Sequence, residues 1–190
     1  AVVLAVVAAG SSLRPAMVLG QDGTPDAARQ QVEALLAERK WIAAIDAAKR
    51  YVEQTGRLYG TADPRHAGAL YLLGKGYDQA NELGDGRYRQ AEQALKQAIT
   101  IYMVDPGPTA IVTGEAIHRL ADVYDSIGDP KQAYPLAKQA YEIRKSHDPE
   151  GRDTATSLEL IGVIERSERK FAEAEKTITD ALALRRKIFG

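Results

Sequence analysis

The feature that most restricts this chain is a spacing. Ala91, Ala133 and Ala174 lie 42 and 41 residues apart, and each closes the same short pattern: Tyr88-x-x-Ala91, Pro130-x-x-Ala133 and Phe171-x-x-Ala174. Seven residues after each comes another alanine, at Ala98, Ala140 and Ala181. Upstream of each pattern stands a second one: Leu73-Gly74 before Tyr77, Leu120-Ala121 before Tyr124, and Ile161-Gly162 before Glu165. Ala121 to Gly162 is again 41 residues, whereas Gly74 to Ala121 is 47, the excess falling between Tyr77 and Tyr88. Trp41-x-x-Ala44, 47 residues before Ala91, carries the phase upstream. Arg57-Leu58-Tyr59-Gly60 and Lys187-Ile188-Phe189-Gly190 close the first and last units in the same phase. A period of this length belongs to stacked supersecondary units, each burying its apolar face only against its neighbours.

Small residues at fixed positions have a packing reason. Gly74, Ala121 and Gly162 fall where the first helix of a unit meets the second, and Ala91, Ala133 and Ala174 fall on the opposing helix. Small side chains let two helix backbones approach to the short end of the usual spacing of about 8–10 Å. Leu73, Tyr77, Leu120, Tyr124 and Ile161 then fill the gaps between units. Helix ends follow from local chemistry: Asp63-Pro64 and Asp129-Pro130 are N-cap and first-turn pairs, Asp153 or Thr154 caps a later helix, and Gly84-Asp85-Gly86 breaks the chain. The expectation is an all-α chain of eight helices, over 26–38, 41–56, 64–82, 87–103, 109–127, 130–146, 152–168 and 171–188. They pair into about four units, 26–60, 61–106, 107–149 and 150–190. Pro135 lies inside a second helix and should free the carbonyl of Lys131.

Composition removes several function classes. With 25 Lys and Arg against 26 Asp and Glu, the net charge is −1, so a basic nucleic-acid surface is not expected. The absence of cysteine excludes disulfides, a thiolate zinc site and a thiol nucleophile. The 3 histidines are scattered. His118 and Asp122 share a helix face at i, i+4 and read as a surface hydrogen bond, because no second ligand pair completes a metal shell. His66 and His147 read as surface residues near turns. Gly74-Lys75-Gly76 lacks the spacing and the preceding strand of a phosphate loop, and Ser11-Ser12 has no His and Asp arrangement around it. No cofactor, metal site or catalytic residue is expected.

The two ends carry their own expectations. Residues 1–20 begin with the apolar run AVVLAVVAA and resemble the centre of a secretory signal, which implies export to a periplasmic or extracellular location, with a cytoplasmic location as the alternative. Residues 1–19 offer membrane anchoring instead, although Arg14 and Pro15 interrupt the stretch. Residues 21–25 (QDGTP) read as a linker. At the other end Leu182, Leu184 and Ile188 form an apolar face with no polar capping helix, which points to self-association or to a chain cut from a longer one.

The repeated positions together resemble the tetratricopeptide repeat in its longer form of roughly 42 residues, as in kinesin light chains and many bacterial repeat proteins. The resemblance covers about Pro25 to Gly190. Glu165 departs from it by replacing an aromatic residue, and Arg169 by replacing a turn glycine that Gly128 keeps. It implies a right-handed α-solenoid whose first helices line a concave groove for peptides or extended protein segments. On this chain the groove residues would be Tyr71, Lys75 and Gln79, then Glu115, His118, Asp122 and Asp125, then Glu159, Val163 and Arg166. The middle of that set is acidic and suits a segment with some basic character. Asn81, Asp85 and Arg87 in the insertion form a second candidate contact. The function expected is a non-catalytic protein–protein interaction module, a scaffold or adaptor. The alternatives are a regulatory or sensory fragment of a signalling protein and a homo-oligomeric structural protein.

Overall fold

The computed structural model describes residues 24–81, 84 and 86–190. The apolar segment 1–20, the linker as far as Gly23, and Asp85 of the insertion lie outside the described residues. Those described form eight helices: α1 (Pro25–Ala37), α2 (Trp41–Tyr59), α3 (Pro64–Ala80), α4 (Tyr88–Tyr102), α5 (Ile111–Ile127), α6 (Pro130–His147), α7 (Arg152–Ser167) and α8 (Phe171–Phe189). No strand occurs among the described residues. The helices pack in the pairs α1–α2, α3–α4, α5–α6 and α7–α8, and each pair packs on the next. First helices also touch first helices, α1 with α3, α3 with α5 and α5 with α7, while successive second helices stand further apart. The stack therefore curves toward the side of the first helices, which becomes its inner face.

Caps explain most boundaries. Asp63 Oδ1 accepts from Arg65 N at 2.8 Å and Asp129 Oδ1 from Gln132 N at 3.2 Å, each with proline at the first helical position. Pro25 opens α1 rather than ending a linker, and Thr24 is its N-cap. Neither Asp153 nor Thr154 caps α7. The N-cap is Gly151, and Thr154 turns its hydroxyl back onto the carbonyl of Asp148 at 2.6 Å. Helix α6 runs unbroken through Pro135. Gly128 ends α5 in the left-handed region at φ 83°, and Arg169 adopts the same region at φ 62° without glycine.

The small residues sit at the tightest approaches. A Cβ on Gly74 would lie 2.7 Å from Cγ of Leu95, and one on Gly162 would lie 2.6 Å from Cγ1 of Ile178. Gly114, an additional close position, faces Ile143 in the same way at 2.8 Å. Ala91, Ala98, Ala121, Ala133, Ala140 and Ala181 are all fully buried. Trp41, Ile45 and Tyr51 anchor the N-terminal core, and Leu95, Leu120, Tyr124 and Ile164 the central one. On α8, Leu182, Phe171 and Phe189 are exposed, while Leu184 and Ile188 are half-buried. No described helix is long and apolar enough to cross a membrane.

Replacement of Gly74 by Ala should destabilise the array by about 1–2 kcal/mol, because Leu95 is fully buried and has nowhere to move. The same change at Gly162 should cost somewhat less, about 1 kcal/mol, since the added Cβ meets Cγ1 of Ile178 at 2.6 Å but Ile178 is only half-buried and yields more readily than Leu95. Urea unfolding of the two variants checks the difference.

Candidate functional site

The inner face is built from α3, α5 and α7, and its centre is a cation that the sequence reading did not single out. Arg119 on α5 places Nη1 3.3 Å from Oδ2 of Asp78 on α3 and 3.3 Å from Oδ2 of Asp122 on its own helix. Asp78 is 41 residues away in the chain, so this contact joins two successive units. The acidic middle is thus partly compensated from within. Burial pushes the Asp78 carboxyl up to about 6, against the pull of Arg119 and with Asp122 adding to the rise.

Around this centre the structure brings together most of the expected residues. Burial raises the Tyr71 phenol, with Arg119 opposing and Glu115 adding to the rise. Burial lowers the Lys75 ammonium, and Arg119 lowers it further. Burial, then Asp122, raises the Asp125 carboxyl, with Arg166 opposing. Tyr71, Lys75 and Glu115 thus feel the charge of Arg119 or of one another, and Asp122, Asp125 and Arg166 act on one another beyond it. Tyr71 also packs against three apolar clusters, so it is as much a wedge between units as a contact residue. Gln79 is half-buried, and its amide oxygen has no hydrogen-bond partner among the described residues. Val163 is half-buried on α7. Glu159 is half-buried and paired with Arg185 of α8, which neutralises it.

His118 is a correction. It is 8% exposed and belongs to the interior, not to the groove surface. Its Nδ1 lies 3.4 Å from Oγ of Ser157 on α7, and Arg144 Nη1 on α6 donates to that same Oγ at 2.8 Å. The Ser157 hydroxyl is then free to donate to Nδ1. Burial, followed by the charges of Arg144 and Arg119, holds the imidazole neutral down to about 3. His66 is likewise buried, with Nδ1 3.1 Å from Thr55 Oγ1 across the α2–α3 junction. His147 is exposed and reaches the carbonyl of Thr109 at 2.8 Å. Glu165, the departure from the aromatic pattern, is buried and accepts from the Tyr134 hydroxyl at 3.2 Å. Sequence spacing carried no signal for the Arg144–Ser157–His118 chain, whose members sit on three helices.

The insertion is anchored at its base. Asn81 Oδ1 accepts from Arg87 N at 2.6 Å, and Asn81 Nδ2 donates to the carbonyl of Asp78 at 3.1 Å. Asn81 and Arg87 are therefore occupied in closing the loop next to the central ion pair. Among the described residues no group of three His, Cys, Asp or Glu is placed to hold a metal ion.

His118 and Asp78 act on stability with opposite signs. Between about 3 and the ordinary 6.5 the unfolded chain binds a proton at His118 that the folded chain refuses, so stability falls as pH falls through that window. Between the ordinary 3.8 and about 6 the folded chain keeps a proton on Asp78 that the unfolded chain releases, so its contribution is lost as pH rises. His118→Gln should flatten the gain in unfolding free energy from about pH 4 to about pH 6, and Asp78→Asn should steepen it, each by on the order of 1 kcal/mol. Urea titrations of the three proteins at both pH values check the signs.

Comparison with known proteins agrees with this geometry. The sequence profile of the tetratricopeptide repeat matches residues 81–146 and again residues 154–190, together just over half of the chain. Among solved structures, BtubC (BKLC) from P. vanneervenii superposes with a TM-score of 0.75 at 16% identity, over 88% of this chain and 66% of that one. This chain thus spans slightly less than two thirds of that protein. The nearly identical TPR-like repeats of a Podosopora anserina protein assigned as a kinesin light chain give a TM-score of 0.68 at 17% identity, over 93% of this chain and 80% of that one. A MamA protein gives 0.61 at 23% identity, over 90% and 78%. With its repeat phase, its paired helices and its profile matches in agreement, the chain belongs to the tetratricopeptide repeat family and is a protein–protein interaction module.

Proposed function

We propose that this chain works without catalysis, as a scaffold or adaptor that holds an extended segment of a partner protein along its inner face. The observation that carries this reading is the Asp78–Arg119–Asp122 bridge between two units on the inner face, with the charges of Lys75, Asp125 and Arg166 around it. Neighbouring units share that bridge, which compensates only part of the negative charge there. Asp122 and Asp125 keep part of their surface open, with the Asp122 side chain 39% exposed. A partner segment with basic residues opposite them would meet complementary potential, which sets register and speeds encounter. Polar residues in this arrangement orient a ligand but offer no nucleophile and base pair, which favours binding over chemistry.

Export through the apolar segment 1–20 remains part of this proposal, and determination of the mature N-terminus tests it: a start near Gln21 supports export, whereas retention of Ala1 favours an anchor at residues 1–19. Self-association through α8 is a second reading, motivated by the exposure of Phe171, Leu182 and Phe189.

Cross-linking in the native source, read by mass spectrometry, tests the main reading. A stoichiometric partner cross-linked at Lys75 is the expected result. Substituting Asp122→Asn and Asp125→Asn together should then weaken capture of that partner about tenfold. Unchanged capture, or cross-links confined to second-helix lysines such as Lys96 and Lys138, would overturn the groove assignment. Cross-links only between α8 helices would favour the homo-oligomer.

A further inference from the structure

A cavity of about 410 Å³ opens between the first helices α1, α3 and α5, closed behind by the C-terminal ends of α2 and α4. Four phenol rings wall it: Tyr51, Tyr59, Tyr71 and Tyr102. Gly68 on α3 faces Tyr102, and a Cβ there would lie 3.4 Å from the Tyr102 hydroxyl. The volume falls in the range of ligand pockets, about 300–1,000 Å³.

Two observations point to an occupant. The first concerns the phenols. Tyr51 and Tyr102 are each only 6% exposed, yet neither hydroxyl has a hydrogen-bond partner among the described residues. Their hydroxyls open onto the cavity rather than being sealed in the core, so each is available to a polar group from outside. Loss of their protons is disfavoured: burial raises both phenols, Tyr102 to about 12 with Glu115 adding to the rise. They stay neutral and present lone pairs and ring faces.

The second observation is the charge of the walls. Asp26, Glu33, Asp105 and Glu115 line the cavity against Arg29 and Arg65. Both arginines are already engaged: Arg29 Nε donates to Glu33 Oε1 at 2.9 Å, and Arg65 pairs with Asp63 at 2.8 Å while its guanidinium lies 3.4 Å from the centre of the Tyr59 ring. Asp26, Asp105 and Glu115 have no ion-pair partner among the described residues. Lys75 feels Glu33 and Glu115 but does not line the space. Aromatic faces, neutral phenol acceptors and unpaired carboxylates are together the chemistry that receives a cation in a partly desolvated site.

We propose that this cavity receives a single cationic side chain, a guanidinium or ammonium, carried by the partner segment that lies along the inner face. The inference rests on the reading of that face as a binding groove and adds the anchor that fixes the segment's register. Glu115 sits between Tyr71 and Tyr102 in influence, close enough to raise both phenols, and is the carboxylate that meets the charge. The phenols of Tyr51 and Tyr102 accept its N–H groups.

The test is an NMR titration of the ¹⁵N-labelled full chain with three probes: a blocked Ala-Ala-Arg-Ala-Ala peptide, the same peptide with neutral citrulline for arginine, and argininamide alone. The arginine peptide should shift the amides of Gly68, Tyr102 and Glu115, and the citrulline peptide should bind at least about tenfold more weakly. Tyr102→Phe and Glu115→Gln should each weaken the arginine peptide about three- to tenfold while leaving thermal unfolding unchanged. Equal binding of the citrulline peptide, or an arginine peptide that leaves those amides unmoved, would overturn the cation site. Argininamide binding as tightly as the peptide would overturn the partner segment as the source of the cation. If the cavity fails while Asp122→Asn with Asp125→Asn still costs partner capture, the anchor alone is lost and the groove stands.

Discussion

The structure depends on how closely the two helices of each unit can approach. Gly74 against Leu95, Gly114 against Ile143 and Gly162 against Ile178 leave no room for a methyl group without movement. Buried alanines on the facing helices complete the seam. Close approach of the backbones lets Leu95, Leu120, Tyr124 and Ile164 reach across into neighbouring units, so packing within a pair and packing between pairs are one problem. Repetition of that seam sets the rotation from one unit to the next, and the rotation brings first helices together on one side. The inner face and its cavity are consequences of a few missing side chains.

A stack of this kind buries polar groups at its junctions, and several of them pair across helices. Thr55 meets His66 between α2 and α3, Ser157 joins Arg144 to His118 across α5, α6 and α7, and Tyr134 reaches Glu165. Glu165 stands where the repeat pattern has an aromatic ring, and the Tyr134 hydroxyl is the compensation. These junctions differ from unit to unit while the apolar seam repeats. They therefore tell the units apart, whereas the seam only holds them.

The inner face separates into two regions of different character. Around Arg119 the charges belong to the protein's own joint between α3 and α5 and are partly spent there. Toward the N-terminal end, Tyr71 and Glu115 pass into the tyrosine-walled cavity, where Asp26, Asp105 and Glu115 have no ion-pair partner among the described residues. Tyr71 belongs to both regions and packs on three clusters, which couples the stacking of units to the shape of the face. Arg169 and Gly128 show the same economy at the turns: one left-handed position uses glycine, the other tolerates arginine.

The sequence by itself determined the repeat, the number of helices and nearly all of their ends. Those depend on spacing, small residues and caps, which act over a few residues and recur in phase: Asp63-Pro64 and Asp129-Pro130 started helices as expected, and Gly74 and Gly162 met their partners as expected. The resemblance to the repeat family also names Tyr71, Lys75, Glu115, Asp122 and Asp125 for the inner face, at positions that follow the helical periodicity. Only the tertiary structure decided what each of them does. His118 shares that periodicity, yet α7 covers it and Ser157 and Arg144 hold it inside. Arg119, one residue along, turns out to the centre and ties Asp78 to Asp122. The cavity draws its tyrosines from positions 51 to 102 on three helices, and no local pattern links them. The physical reason is the same in each case: a seam is written in every unit, whereas burial, charge pairing and a cavity are set by which side chains of different units arrive at one place.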